Sequence, residues 1–140
     1  MLFRSATTTA SNTVTLGNSN IAALRCQVQS ISSLSDERDK TEIIDSPYGL
    51  EFINSVRPVQ FKWQSREGVV ADGSTRVGFI AQELLTASGS NNDVLQLVST
   101  ENPEKLEASY SNLLPIAIKA IQEQQALIDA LTARIETLEG

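Results

Sequence analysis

The sequence predicts an α+β chain in three parts: a short β-rich stub, a compact mixed module and a long C-terminal helix of coiled-coil type. Three observations predict it. Residues 1–34 alternate apolar and polar side chains in patches and carry Arg4 and Arg25 but no acid. The middle of the chain mixes short alternating runs with helix-start signals. The last thirty or so residues repeat isoleucine every seven positions, at Ile121, Ile128 and Ile135.

In the stub, "NTVTLGNSN" sets Val14 and Leu16 to one side before a Gly17-Asn18 turn signal. Leu24, Cys26 and Val28 then share a face opposite Arg25, Gln27 and Gln29. Stripes this thin cannot close a monomeric core. Short strands with Ser, Thr and Asn faces fit an intertwined fibre that closes only as an oligomer. Residues 1–34 are therefore read as the end of a β-rich fibre segment, and 35–140 as a separate domain with its helix over 110–140.

In the module, "SDERDKTEII" suits a helix or turn start, with Ser35 or Asp36 as N-cap and acids in the first turn. "SPYGLEFINSV" reads as a short helix with Pro47 in its first turn. "RPVQFKWQ" sets Val59, Phe61 and Trp63 against Gln60, Lys62 and Gln64, a half-buried strand. "VVADGSTRVGFIAQEL" reads as strand, Asp-Gly turn, strand and a helix from about Ala81; "VLQLVST" reads as another strand. In the final segment Leu131 and Leu138 fall at d, Gln124 is a polar d, and Leu114 and Ala117 extend the frame backwards. Pro115 is early enough for a first helical turn. An amphipathic helix packed on its own domain would show similar spacing; three sustained heptads favour a coiled-coil oligomer. Ile at a with Leu at d leans by itself to a dimer.

Composition bounds the function. The chain has 140 residues, 41% hydrophobic but only 5% aromatic, so its core is aliphatic. A net charge of -6 argues against a nucleic-acid partner, which would require Lys and Arg on phosphates. No apolar run approaches the ~20 residues of a membrane span, so no membrane partner is expected. "MLFR" runs into Ser and Thr, unlike a secretory leader. The single Cys26 allows no internal disulfide and reads as a small buried hydrophobe. With no histidine, Ser-His-Asp and Cys-His catalysis are excluded, as are most zinc sites. No metal or cofactor is expected. A carbohydrate-active fibre tip would call for paired carboxylates in a groove beside aromatic platforms, and aromatics are few.

One stretch, "SSLSDERDKTEI", still offers chemistry. A serine hydroxyl can be activated by a neutral lysine. A free lysine titrates near about 10.4, so it serves as a base only when desolvated or crowded by positive charge. Lys40 has Arg38 beside it, but also Asp36, Glu37 and Asp39, which push the other way. On these residues alone, Ser35 as a cap and Lys40 as a solvated charge is the commoner arrangement.

"LSDERDK", followed by "FINSVRPVQFKW", "RVGFIAQEL" and "YSNLLPIAIKAIQEQQ", resembles the intramolecular chaperone autoprocessing domain. That domain ends phage endosialidase tailspikes and tail fibres and occurs in myelin regulatory factor. The resemblance spans about Leu34 to Leu138, with a complete Ser-Asp-x-Arg-x-Lys signature from Ser35 to Lys40. It implies a parallel homotrimeric coiled coil that aligns and folds the upstream fibre segment of the same chain. The domain then releases itself in a serine-dependent cut. It implies Ser35 as nucleophile, Lys40 as its base, and Asp36 as the cleavage-motif residue that orients the scissile peptide. Glu83 is a supporting candidate or simply a helix-start carboxylate. Arg38 pairs with an acid across subunits or stabilises an oxyanion. Tyr110 is expected to pack. The cut is expected beside Ser35, with Ser35-Asp36 favoured over Leu34-Ser35, although Ser35 Oγ attacking its own carbonyl would close a four-membered ring. Assembly in the host cytoplasm, with the fibre in the virion tail, follows from the same resemblance. A trimerisation cap that never cuts would have no use for the signature.

Overall fold

The structure, a computed structural model, describes Val14, Gln27 and residues 31–66 and 69–140. The strand pattern read in the stub, and Cys26 with it, lies outside the described residues apart from Val14, Gln27 and 31–34. The chain divides into two units, Met1–Thr41 with Gln60–Arg76, and Glu42–Val59 with Val77–Gly140. The whole is mixed α+β, with small two-stranded sheets and a long C-terminal helix.

The second unit holds the core. Helix α1 (Leu50–Ser55) begins after Gly49, so Pro47 stands upstream of the first turn rather than in it. Helix α2 (Ala81–Ser88) starts where "IAQEL" predicts. Helix α3 (Asn92–Leu95) then takes the first half of "VLQLVST", where a strand is expected. Gln96 sits in the left-handed region at φ 48° and ends the helix. The reason lies in Asn92: its amide donates to the Val98 carbonyl (2.8 Å) and its Oδ1 accepts from the Val98 N–H (3.1 Å). A side chain therefore supplies what a strand partner would have supplied, and only β3 (Val98–Ser99) remains extended. It pairs antiparallel with β4 (Glu107–Ala108), Val98 opposite Ala108 and Ser99 opposite Glu107.

Helix α4 (Leu113–Glu139) closes this unit. Leu113, Ile116 and Ala120 recur at helical spacing and are buried in its first turns. Leu113 and Ile116 join Leu84, Leu95, Leu97 and Val98 in one cluster, with Phe52, Ile53, Val56 and Phe79 packed against it. Buried aliphatic side chains of this size each contribute ~1.5–3 kcal/mol. Pro115 falls within the first turn, where its missing N–H costs nothing. Just before α4, Tyr110 stacks edge-on against Phe79 at 5.2 Å. Its hydroxyl accepts from the Phe79 N–H and donates to the Phe79 carbonyl, both at 3.2 Å.

A carboxylate of α4 also caps α1. Glu123 Oε2 accepts from the Leu50 N–H at 2.7 Å, satisfying an otherwise unpaired donor at the start of α1. Gly49 makes room for it, since a Cβ there would collide with the Glu123 carboxylate.

Strand β1 (Val59–Lys62) pairs with β2 (Thr75–Gly78). Along β1, Val59 and Phe61 are half-buried and Gln60 and Lys62 exposed, the alternation expected. The strand stops at Lys62, however, and Trp63 lies exposed, edge-on to Phe61 at 5.2 Å. The strand expected before the Asp-Gly turn reduces to one antiparallel bridge, Arg66 to Val69. After it, Asp72 accepts from the Ser74 N–H at 2.9 Å and forks onto Arg76, while Gly73 takes φ 72°. That side-chain turn leads directly into β2.

Candidate functional site

Residues 35–40 fold on themselves. Glu37–Asp39 make one 3-10 turn, and the residue that caps it is Asp36, not Ser35. Asp36 Oδ1 accepts from the Arg38 N–H at 2.9 Å. Its backbone carbonyl accepts from the Asp39 N–H at 3.2 Å, and the Glu37 carbonyl from the Lys40 N–H at 3.1 Å. A 3-10 turn advances three residues per revolution, so the extended residues on either side are brought back together. Ser35 and Lys40, five apart in sequence, consequently meet. Lys40 Nζ lies 2.7 Å from Ser35 Oγ and 3.3 Å from the Ser35 carbonyl oxygen.

The cap also occupies Arg38. Its Nε donates to Asp36 Oδ1 at 2.9 Å and its Nη2 to Oδ2 at 2.6 Å, a fork onto one carboxylate. The guanidinium and the Arg38 N–H hold the Asp36 carboxyl down at about 2. Asp36 is thus an anion whose oxygens are engaged, and Arg38 is paired within its own chain through a neighbour two residues away. Both side chains are open to solvent, so the pair shapes the turn more than it stabilises the fold.

Glu83 belongs to the second unit, in the first turn of α2. It is paired: Arg57 donates to Glu83 Oε2 from Nε at 3.0 Å and to Oε1 from Nη2. The Arg57 guanidinium is pushed up by this hydrogen bond and by the nearby charge. Arg57 was not singled out by sequence reasoning; its only signal is a position directly before Pro58 and β1. Nor were Gly49 and Glu123; the bond from the Leu50 N–H to Glu123 joins residues 73 apart.

The apolar surroundings of the turn are bare. Ile31 and Leu34 precede it and Ile43 and Ile44 follow it, all exposed. The arrangement can do one thing chemically: a primary amine at hydrogen-bond distance from a hydroxyl, with a peptide carbonyl beside both, is the beginning of serine acyl chemistry.

No curated protein matches the chain. Residues 35–91 match the model of a family named Peptidase_S74 and described as chaperone of endosialidase. The match begins at Ser35 itself and covers the motifs "SDERDK", "FINSVRPVQFKW" and "RVGFIAQEL", while the α4 motif lies beyond it. The stretch 35–91, carrying the serine and the lysine brought together by the 3-10 turn, is thus the part of the chain that is similar to the chaperone of endosialidase family.

Proposed function

We propose that this chain is an intramolecular chaperone that assembles the fibre segment preceding Ser35 as a trimer and then cuts itself off beside Ser35. The observation that carries the cutting is the 2.7 Å separation of Lys40 Nζ and Ser35 Oγ. The family match supports the chaperone role and, through its peptidase name, serine chemistry. The exposed isoleucines and leucines of α4 support association through that helix.

The reaction runs as follows. Neutral Lys40 takes the Ser35 hydroxyl proton, and Oγ attacks a peptide carbonyl. The C–N bond breaks, and the lysine ammonium returns its proton to the leaving amine. Water then hydrolyses the resulting ester. Two bonds are in reach of such chemistry. At Leu34-Ser35, attack by Ser35 on the preceding carbonyl closes a five-membered ring within one chain. At Ser35-Asp36, Lys40 already lies on the carbonyl oxygen, but a four-membered ring bars attack by the same residue. Cleavage there therefore uses the Ser35 hydroxyl of a second copy.

Lysine activation calls for loss of water around Nζ, and Ser35 and Lys40 are both exposed in the single chain. Assembly, by covering Ile31, Leu34, Ile43 and Ile44, supplies that desolvation and delays the cut until the copies are aligned. Cleavage then removes the clamp, and the product persists because its separated chains would have to find their register again.

Intact mass of wild type beside Ser35→Ala tests the proposal. Wild type should give two fragments whose masses identify the bond, and Ser35→Ala one full-length mass. A wild type that stays whole as an assembled trimer would instead favour a clamp that does not cut.

A further inference from the structure

Helix α4 carries two apolar stripes, and only one serves its own unit. Leu113, Ile116 and Ala120 are buried in the core, while farther along the same side Glu123 meets α1. Roughly a quarter turn around the helix, the heptad positions Leu114, Ile121, Ile128, Leu131, Ile135 and Leu138 are exposed. Two features of this second stripe go beyond greasiness. Gln124, exposed, interrupts it at d between Ile121 and Ile128. Arg134 at g and Glu139 at e flank its end, and among the described residues no ion pair engages either.

Helix geometry explains why these two charges stay apart in one chain. Side chains meet at spacings of three and four, and Arg134 has Ala130, Leu131, Thr137 and Leu138 there. Glu139 is five residues from Arg134, on a different side of the helix. Five is, however, the spacing from a g position to the e position of a parallel neighbour in register. Antiparallel packing would set g against g and e against e, where Arg134 faces Leu127 or another Arg134, and Glu139 faces Thr132. A slip of one heptad would bury the Gln124 amide against Leu131 without a partner, a costly arrangement.

From this we infer that, within the parallel clamp of the proposed function, Gln124 with Arg134–Glu139 between neighbouring α4 helices locks the register. The inference deepens the clamp of the proposed function and rests on it. It identifies what aligns the chains to the residue, so that three Ser35 turns and the segments before them start level.

The test uses the full chain carrying Ser35→Ala, so that cleavage plays no part, with sedimentation read against concentration. Arg134→Glu should weaken association about tenfold, since each neighbouring contact replaces attraction with repulsion. Glu139→Arg should do likewise, and the double exchange Arg134→Glu with Glu139→Arg should restore association to within about twofold. Circular dichroism confirms that each variant keeps its helix. Association indifferent to both single exchanges, or not restored by the double one, would overturn the lock while leaving the clamp standing. A chain that is monomeric throughout would overturn both.

Discussion

The core of the second unit and the Ser35–Lys40 turn are built on opposite plans. The core draws Leu84, Leu97, Leu113 and Ile116 from across the sequence and excludes water from them. The turn is made by six consecutive residues, all exposed. One region is held by buried apolar packing, while the other sets a hydroxyl beside an amine with little packing to hold it. The difference teaches that the Ser35–Lys40 contact can be set by local sequence alone, and that under the proposed function its activity would depend on what comes to cover it.

Substitutions should expose this contrast most strongly in the core. Leu84→Ala removes a side chain that is only 2% exposed and should cost about 2–5 kcal/mol in denaturant unfolding. Ser35→Ala, by comparison, should change unfolding by less than about 0.5 kcal/mol. Equal losses in the two variants would mean that the turn is part of the core after all.

A smaller effect is expected where α1 meets α4. Glu123→Ala leaves the Leu50 N–H without its carboxylate and should cost about 1 kcal/mol. Gly49→Ala should lower stability for the same reason, because its Cβ displaces that carboxylate. If Gly49→Ala costs nothing further in a Glu123→Ala background, the two changes act on one contact.

The smallest effect concerns the cap of the turn. Asp36 titrates at about 2 in the folded chain, against about 3.9 for a free aspartate. Its contribution is therefore present above about pH 4 and is lost as the pH falls through about 2. In Arg38→Ala the carboxyl resonance of Asp36 should titrate higher, toward the free value. An unchanged midpoint would show that Arg38 does not hold it.

How much of this was legible in the sequence follows the same division. The Ser35–Lys40 contact and the cap at Asp36 depend on neighbours within five residues, yet the residues alone favour Ser35 as a cap and a solvated Lys40; the resemblance points to the pair, and Asp36 is one of two cap candidates. The start of α2 and the heptad stripe of α4 are periodic and readable, whereas the buried stripe of Leu113, Ile116 and Ala120 was not singled out. What the sequence hides is long-range or side-chain made. Asn92 replaces a strand partner for Val98, which turned an expected strand into helix. Glu123 finds Leu50 across 73 residues, and Arg57 finds Glu83 across 26. No periodicity announces such contacts. The heptads could not fix the number of copies either, since Ile at a and Leu at d suit two chains as readily as the resemblance implies three.

The central claim is that Lys40 acts as a base and does more than hold Ser35 in place. Lys40→Arg separates the two, because a guanidinium can still donate to Ser35 Oγ but cannot be deprotonated in a protein. Intact mass of wild type and Lys40→Arg, purified together and incubated at neutral pH, is the direct measurement. The account predicts two fragments from wild type and a single uncut mass from a folded Lys40→Arg; cleavage of Lys40→Arg at the wild-type rate would contradict it.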